Sequence, residues 1–175
     1  LLGEPTQVSG FASSVVYHPN LALAGFSYAN GRTYESTLNE RQLPNTMNIS
    51  GVLSDQYVWD KVGNLSGISD LGSSAPQSRN RTMGYDRANR LTSASFAGAG
   101  SYTYAYDDLD NLITATRPGA SIRYVYDQSR QRLTRLERMD TSAELIGYQF
   151  DDRGNTTQRR ASPMGRSNQD FRFDR

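Results

Sequence analysis

Tyr104-Ala105-Tyr106-Asp107-Asp108-Leu109-Asp110-Asn111-Leu112 is one copy of a pattern that returns along the chain. Upstream stand Tyr57-Val58-Trp59-Asp60-Lys61-Val62-Gly63-Asn64-Leu65 and Met83-Gly84-Tyr85-Asp86-Arg87-Ala88-Asn89-Arg90-Leu91. Downstream come Tyr124-Val125-Tyr126-Asp127, Tyr148-Gln149-Phe150-Asp151-Asp152-Arg153-Gly154-Asn155 and Phe171-Arg172-Phe173-Asp174. The common form is aromatic, any, aromatic, Asp, a short polar turn, then Leu or Thr. From Asp60 the Asp positions step by 26, 21, 20, 24 and 23 residues. Asn39 and His18 continue the series upstream at intervals of 21 residues. A fixed period of this length marks a repeat architecture, here about seven units and a truncated eighth.

Each copy predicts a strand, a turn and a return strand. Tyr102, Tyr104 and Tyr106 lie two apart and share one face of an extended segment, with Ser101, Thr103 and Ala105 on the other. Asp opens the turn, because its short carboxylate reaches backbone N–H groups two or three residues on. Gly63 and Gly154 supply a positive φ, and Asn64, Asn111 and Asn155 are expected to tolerate the same region. The chain returns from Leu65, Leu91, Leu112 or Leu133. One hairpin is marginal in water, so the array is stable only collectively. Hydrophobic content is 36%, below the roughly 45–50% of globular chains, which suits a sheet with a thin aromatic core. The repeat-defining structural residues are thus Trp59, Asp60, Gly63, Tyr85, Asp86, Tyr104, Tyr106, Asp107, Tyr124, Tyr126, Asp127, Tyr148, Phe150, Asp151 and Gly154.

A Tyr-Asp hairpin of about 20–22 residues resembles the RHS/YD-repeat family. The likeness is specific at Tyr85-Asp86-Arg87-Ala88-Asn89-Arg90-Leu91-Thr92, from Tyr106-Asp107 through Leu112, from Tyr126-Asp127 through Leu133-Thr134, and at Phe150-Asp151-Asp152-Arg153-Gly154-Asn155. It spans about Val15 to Asp174, with residues 1–14 as a lead-in or the end of a preceding repeat and 15–175 as the tandem repeat domain. The resemblance implies an all-β fold: one long curved antiparallel sheet, part of an RHS-type shell. In that family the shell commonly encloses a C-terminal toxin domain of a bacterial polymorphic toxin, secreted or at the cell surface. The partners implied are an enclosed toxin domain or the remaining shell repeats, and self-association through edge strands. The family's Asp-Pro-x-Gly-Leu autoproteolytic motif does not occur, since none of the six Pro follows an Asp. The chain therefore resembles part of a shell wall.

The remaining chemistry is sparse. Without Cys, disulfides and thiolate chemistry are excluded. Leu1-Leu2 shows no signal peptide, and a start without Met suggests a processed or excised piece. No stretch approaches the roughly 20 apolar residues of a membrane span. Residues 1–116 carry a net charge of −3 and residues 117–175 of +4, the densest basic run lying between Arg117 and Arg138. These Arg residues are expected on exposed strand faces, some paired with Asp127, Glu137 or Asp140, and not as a nucleic-acid interface. His18, the one His, fills the turn-Asp slot and is assigned to turn capping. Asp107-Asp108-x-Asp110 and Asp151-Asp152 are assigned to capping over Ca²⁺. No nucleophile elbow, phosphate loop or dinucleotide fingerprint appears, so no enzyme and no cofactor is expected. The aromatics read as core between hairpins, with an adhesive or glycan-binding β-repeat module as the alternative. The most loop-like stretch is Ile68 to Thr82, and Ala161 to Gln169 is expected to fray.

Overall fold

A computed structural model describes residues 3–72, 79–161 and 168–171. The described residues are all-β, with no helix. They fall into two compact units, Leu1–Ala99 and Gly100–Arg175. The first holds β1 (Ala12–Tyr17), β2 (Leu23–Tyr28), β3 (Thr33–Leu38), β4 (Pro44–Ile49), β5 (Leu53–Trp59), β6 (Leu65–Asp70), β7 (Arg81–Tyr85) and β8 (Leu91–Phe96). The second holds β9 (Gly100–Tyr106), β10 (Leu112–Arg117), β11 (Ala120–Tyr126), β12 (Leu133–Arg138), β13 (Glu144–Phe150), β14 (Thr156–Ala161) and β15 (Gln169–Asp170). Within each unit every strand pairs antiparallel with its neighbour in sequence. Seven of these pairings are the predicted hairpins, β1–β2 through β13–β14, each closing at the expected turn. The long connection is narrower than expected: strand persists to Asp70 and resumes at Arg81. Residues 73–78 of that connection, most of 161–169, and Arg172 to Asp174 of the last copy lie outside the described residues.

Alternation puts the apolar side chains on one face. In β9, Tyr102, Tyr104 and Tyr106 are half-buried while Ser101, Thr103 and Ala105 are exposed. Register extends this face from strand to strand. Phe26 pairs with Tyr34, Tyr34 with Ile49, and Ile49 with Leu53. In the second unit Ala115 pairs with both Tyr104 and Ile122, and Leu136 with both Tyr124 and Ile146. Phe26 stacks on Tyr34 at 5.1 Å. This layer is thin. Among the described residues only Val15 and Ala94 are buried apolar residues, and no large side chain is fully buried. Hydrophobic burial per residue is therefore modest, and backbone hydrogen bonds and turns carry more of the fold's specificity.

The turns are nearly identical. In six of them the first residue's N–H donates to the fifth residue's carbonyl: His18 to Ala22, Asn39 to Leu43, Asp60 to Asn64, Asp86 to Arg90, Asp107 to Asn111 and Asp151 to Asn155. The fourth residue then donates back to the first, from Leu21, Gln42, Gly63, Asn89, Asp110 and Gly154. That fourth residue always has positive φ, from 61° at Asn89 to 99° at Gly63. The geometry corrects one expectation. Asn64, Asn111 and Asn155 do not occupy the left-handed region; the residue before each does.

Every hairpin also contains a bulge directly after its turn. The register slips by one between Val58–Gly67 and Trp59–Leu65, leaving Ser66 as the extra residue. The same slip isolates Thr92, Ile113, Thr134 and Thr157. A bulge leaves ladder groups unmatched. Here hydroxyls repair it: Ser66 donates to the Val58 carbonyl at 3.1 Å, Thr92 to Gly84 at 3.2 Å and Thr134 to Val125 at 2.9 Å.

Nothing lies within 4 Å of a Cβ placed on Gly63, so substitution there tests backbone conformation alone. Gly63→Ala is expected to lower stability by about 1 kcal/mol, the cost of a left-handed L-residue. The change should appear as a lower urea midpoint with an unchanged slope.

Candidate functional site

The conserved geometry of each hairpin converges on its turn, where three features meet: a carboxylate or amide, a bulge and an aromatic. Asp60 Oδ1 accepts from the N–H groups of Val62, Gly63 and Asn64 at 2.8–3.0 Å. Asp86 Oδ1 accepts from Ala88 and Arg90, Asp107 Oδ1 from Leu109 and Asn111, and Asp151 Oδ1 from Asn155. Asn39 plays the same part with its amide oxygen, accepting from Arg41 and Leu43. The second carboxylate oxygen takes a side-chain donor from the fifth turn residue. Asn64, Asn111 and Asn155 each donate to it at 2.9 Å, and Arg90 at 2.7 Å. This is the work of the Asn residues that the sequence assigned to backbone conformation.

Neighbouring turns are tied together. The Asn64 amide also donates to Asn89 Oδ1, and Arg41 donates to the carbonyls of Asp60 and Lys61. The last aromatic of a strand reaches the preceding hairpin. Tyr85 Oη donates to the Leu65 carbonyl at 2.9 Å, Tyr126 Oη to Leu112 at 3.2 Å, and Trp59 Nε1 to Pro44 at 2.7 Å. Each acceptor is the first residue of a return strand, at the bulge. The repeat-defining aromatics therefore act as ties between hairpins. Phe150 stands in this position and has no hydroxyl.

Two assignments need correction. His18 closes its turn through its backbone, whereas the capping side chain is Asn20, which accepts from the Ala22 N–H at 3.0 Å. The imidazole instead lies 3.2 Å from Ser36 Oγ, because a ring is too large to fold back under its own turn. Among the described residues Asp127 pairs with no guanidinium: its Oδ1 accepts from the Ser129 N–H and hydroxyl and from the Arg130 N–H. The other expected pairs form. Glu137 is buried between Arg123 at 3.2 Å and Arg135 at 3.0 Å, and Arg138 holds Asp140 at 2.6 Å. Among the described residues no three His, Asp or Glu side chains are placed to hold a metal ion.

One feature gave little sequence signal. Asp55 and Asp70 are cross-strand partners and both are buried. Asp70 is held by Arg79, Nε to Oδ2 at 2.6 Å and Nη2 to Oδ1 at 2.9 Å. This fork joins the two ends of the long connection. The bond to Arg79 brings the Asp70 carboxyl down to about 2, and Arg138 does the same for Asp140. Asp86 and Asp151 lie below their ordinary range, the first through the Arg90 N–H and guanidinium, the second through the Asn155 amide.

These residues can be set beside known proteins. Residues 85–122 match the model of the RHS repeat. No curated protein matches the chain in sequence. The fold resembles a chain of the TcdB2-TccC3-Cdc42 crystal structure, with a TM-score of 0.63, 15% identity, and coverage of 87% of this chain and 10% of that one. A chain of the Photorhabdus luminescens Tc holotoxin pore gives 0.64, 15%, 90% and 10%. A chain of TcdB2-TccC3 gives 0.63, 16%, 96% and 11%. The chain thus spans about a tenth of the length of the structures it resembles.

Two outcomes follow from the site. Tyr85→Phe removes one tie while keeping the ring, and is expected to cost about 1 kcal/mol of stability, measured by urea unfolding. The depressed carboxyls contribute stability that is complete above the unfolded value of 3.8 and is lost as pH falls through the folded values near 2. The urea midpoint is expected to fall between pH 4 and pH 2, and less steeply in Asp70→Asn. A midpoint that holds level to pH 2 would contradict the assignment.

The Tyr-Asp turn, the bulge and the aromatic tie recur on both sides of the matched segment, so residues 85–122 match the RHS repeat and the hairpins around them share its geometry.

Proposed function

We propose that this chain is a structural segment of a shell wall that encloses or presents a C-terminal toxin cargo in a secreted or surface-borne bacterial polymorphic toxin. The supporting observation is the array itself. Every described strand belongs to a hairpin or pairs with one, and the fold resembles chains that occur in Tc toxin complexes. The mechanism is steric. Within each unit neighbouring strands are hydrogen-bonded to one another, and a sheet of this kind acts as a barrier without a reactive group. The repeat domain runs from residue 15 to 175, with residues 1–14 as a lead-in or the end of a preceding repeat. Edge strands offer unpaired N–H and C=O groups, so further repeats or a second chain are the natural neighbours.

The test is top-down mass spectrometry of the polypeptide from its natural source, followed by limited proteolysis. The expected result is a much longer chain whose C-terminal segment resists protease until the repeats are unfolded. A native polypeptide of this length alone, or a C-terminal segment cleaved as fast in the folded protein as in urea, would overturn the proposal.

A further inference from the structure

The turn from Asp127 to Arg132 departs from the other six. It is one residue longer, with the Asp127 N–H donating to the Arg132 carbonyl at 2.8 Å and the positive φ falling on Gln131. Arg132 closes this turn, in the slot where Asn64, Arg90, Asn111 and Asn155 each donate to their own turn carboxylate. Among the described residues its guanidinium makes no hydrogen bond and no ion pair, and its Nη1 is shut off from water without an acceptor. The group is directed toward the next hairpin. It lies 5.5 Å from the centre of the Phe150 ring. It also rests against Gly154, where a Cβ would come within 2.6 Å of Nη2 and 3.1 Å of Nη1. Beside it opens a cleft of about 350 Å³ lined by Arg132, Leu133, Tyr148, Phe150, Gly154 and Thr156.

We propose that this cleft binds a carboxylate carried on an aromatic or aliphatic body. The chemistry follows from what lines it. A planar guanidinium fork matches a carboxylate in two parallel hydrogen bonds. One unpaired cation suits one negative charge. Tyr148 and Phe150 supply the apolar wall against which the body of the ligand packs. The contrast with Arg90 shows what Arg132 lacks: the same residue type in the same slot finds its carboxylate at 2.7 Å. Lengthening the turn by one residue removes the internal partner, and a small swing of the fork brings its N–H groups onto an incoming oxygen. The site stands on this geometry alone and does not rest on the shell reading.

The test uses the whole chain and three probes: sodium benzoate, its neutral isostere benzamide, and an end-capped peptide containing Phe-Glu, each titrated by calorimetry. Saturable binding of benzoate but not benzamide is expected, weakened about tenfold or more in Arg132→Gln and unchanged in the nearby Arg130→Gln. Circular dichroism and melting establish that each variant folds. Should Arg132→Gln fail to fold, Arg132→Lys keeps the charge, removes the fork, and is expected to weaken benzoate by the same order. Binding of both benzoate and peptide identifies a site open to acidic side chains of a polypeptide. Benzoate alone identifies a free small carboxylate, and the peptide alone a polypeptide partner. Absence of saturable binding by both benzoate and the peptide, equal binding of benzamide, or unchanged affinity in a folded Arg132 variant would overturn the proposal.

Discussion

A carboxylate oxygen that accepts main-chain N–H groups from its own turn is the constraint on which the rest of each hairpin depends. Three main-chain donors on one oxygen, as at Asp60, hold the five-residue turn closed. The fourth residue must then take a positive φ, and the return strand starts one residue out of step with its partner. The slip makes the bulge. Beside the bulge, the first carbonyl of the return strand accepts from the aromatic of the next hairpin. One side chain thus sets the geometry of its own hairpin and offers the attachment point for the next. Asp suits this role because its carboxylate is short enough to fold under the turn; the His18 ring is not, and Asn20 does the capping there.

Stability follows from the same chain of dependence. With one thin apolar layer and no large side chain fully buried among the described residues, no hairpin there carries a core of its own. Each gains most from the neighbour to which it is tied, so stability is close to a sum of hairpin terms and nearest-neighbour terms. The ties are polar and directional. An Asp-turn bond or a phenol-to-carbonyl bond fixes register, which apolar contact on a flat face does not. Register matters more here than in a sandwich, because a slip of one residue would exchange the aromatic face for the Ser and Thr face on every strand that follows.

Much of this was legible in the sequence. The period located the hairpins, the alternation of Tyr102, Tyr104 and Tyr106 located the face, and Asp located the turns. What escaped was relational. The bulge is written as a Leu-Ser or Leu-Thr step after the turn, at Leu65-Ser66, Leu91-Thr92 and Leu133-Thr134, but a hydroxyl after a Leu looks like ordinary strand composition until its acceptor is known. The Asn residues were seen and given the wrong task, because Asn suits both a left-handed backbone and a side-chain bond to a carboxylate. The Asp55–Asp70 pair, 15 residues apart, has no local signature at all; it follows from the register of β5 and β6.

Departures from a repeat are informative because the repeat defines what should be there. A regular array of hairpins accepts substitutions that preserve the tie, such as Trp59 in the position of Tyr85. Arg132 and Phe150 preserve nothing. The phenol is missing, the turn is longer, and a guanidinium is left without the carboxylate that its equivalent Arg90 has. The hairpin itself gives no reason for an unpaired cation beside a cleft, since Asn in that slot closes the turn in three other hairpins. Such an exception is tolerated most easily where the guanidinium has something outside the hairpin to hold, which sets this one turn apart from the six regular ones.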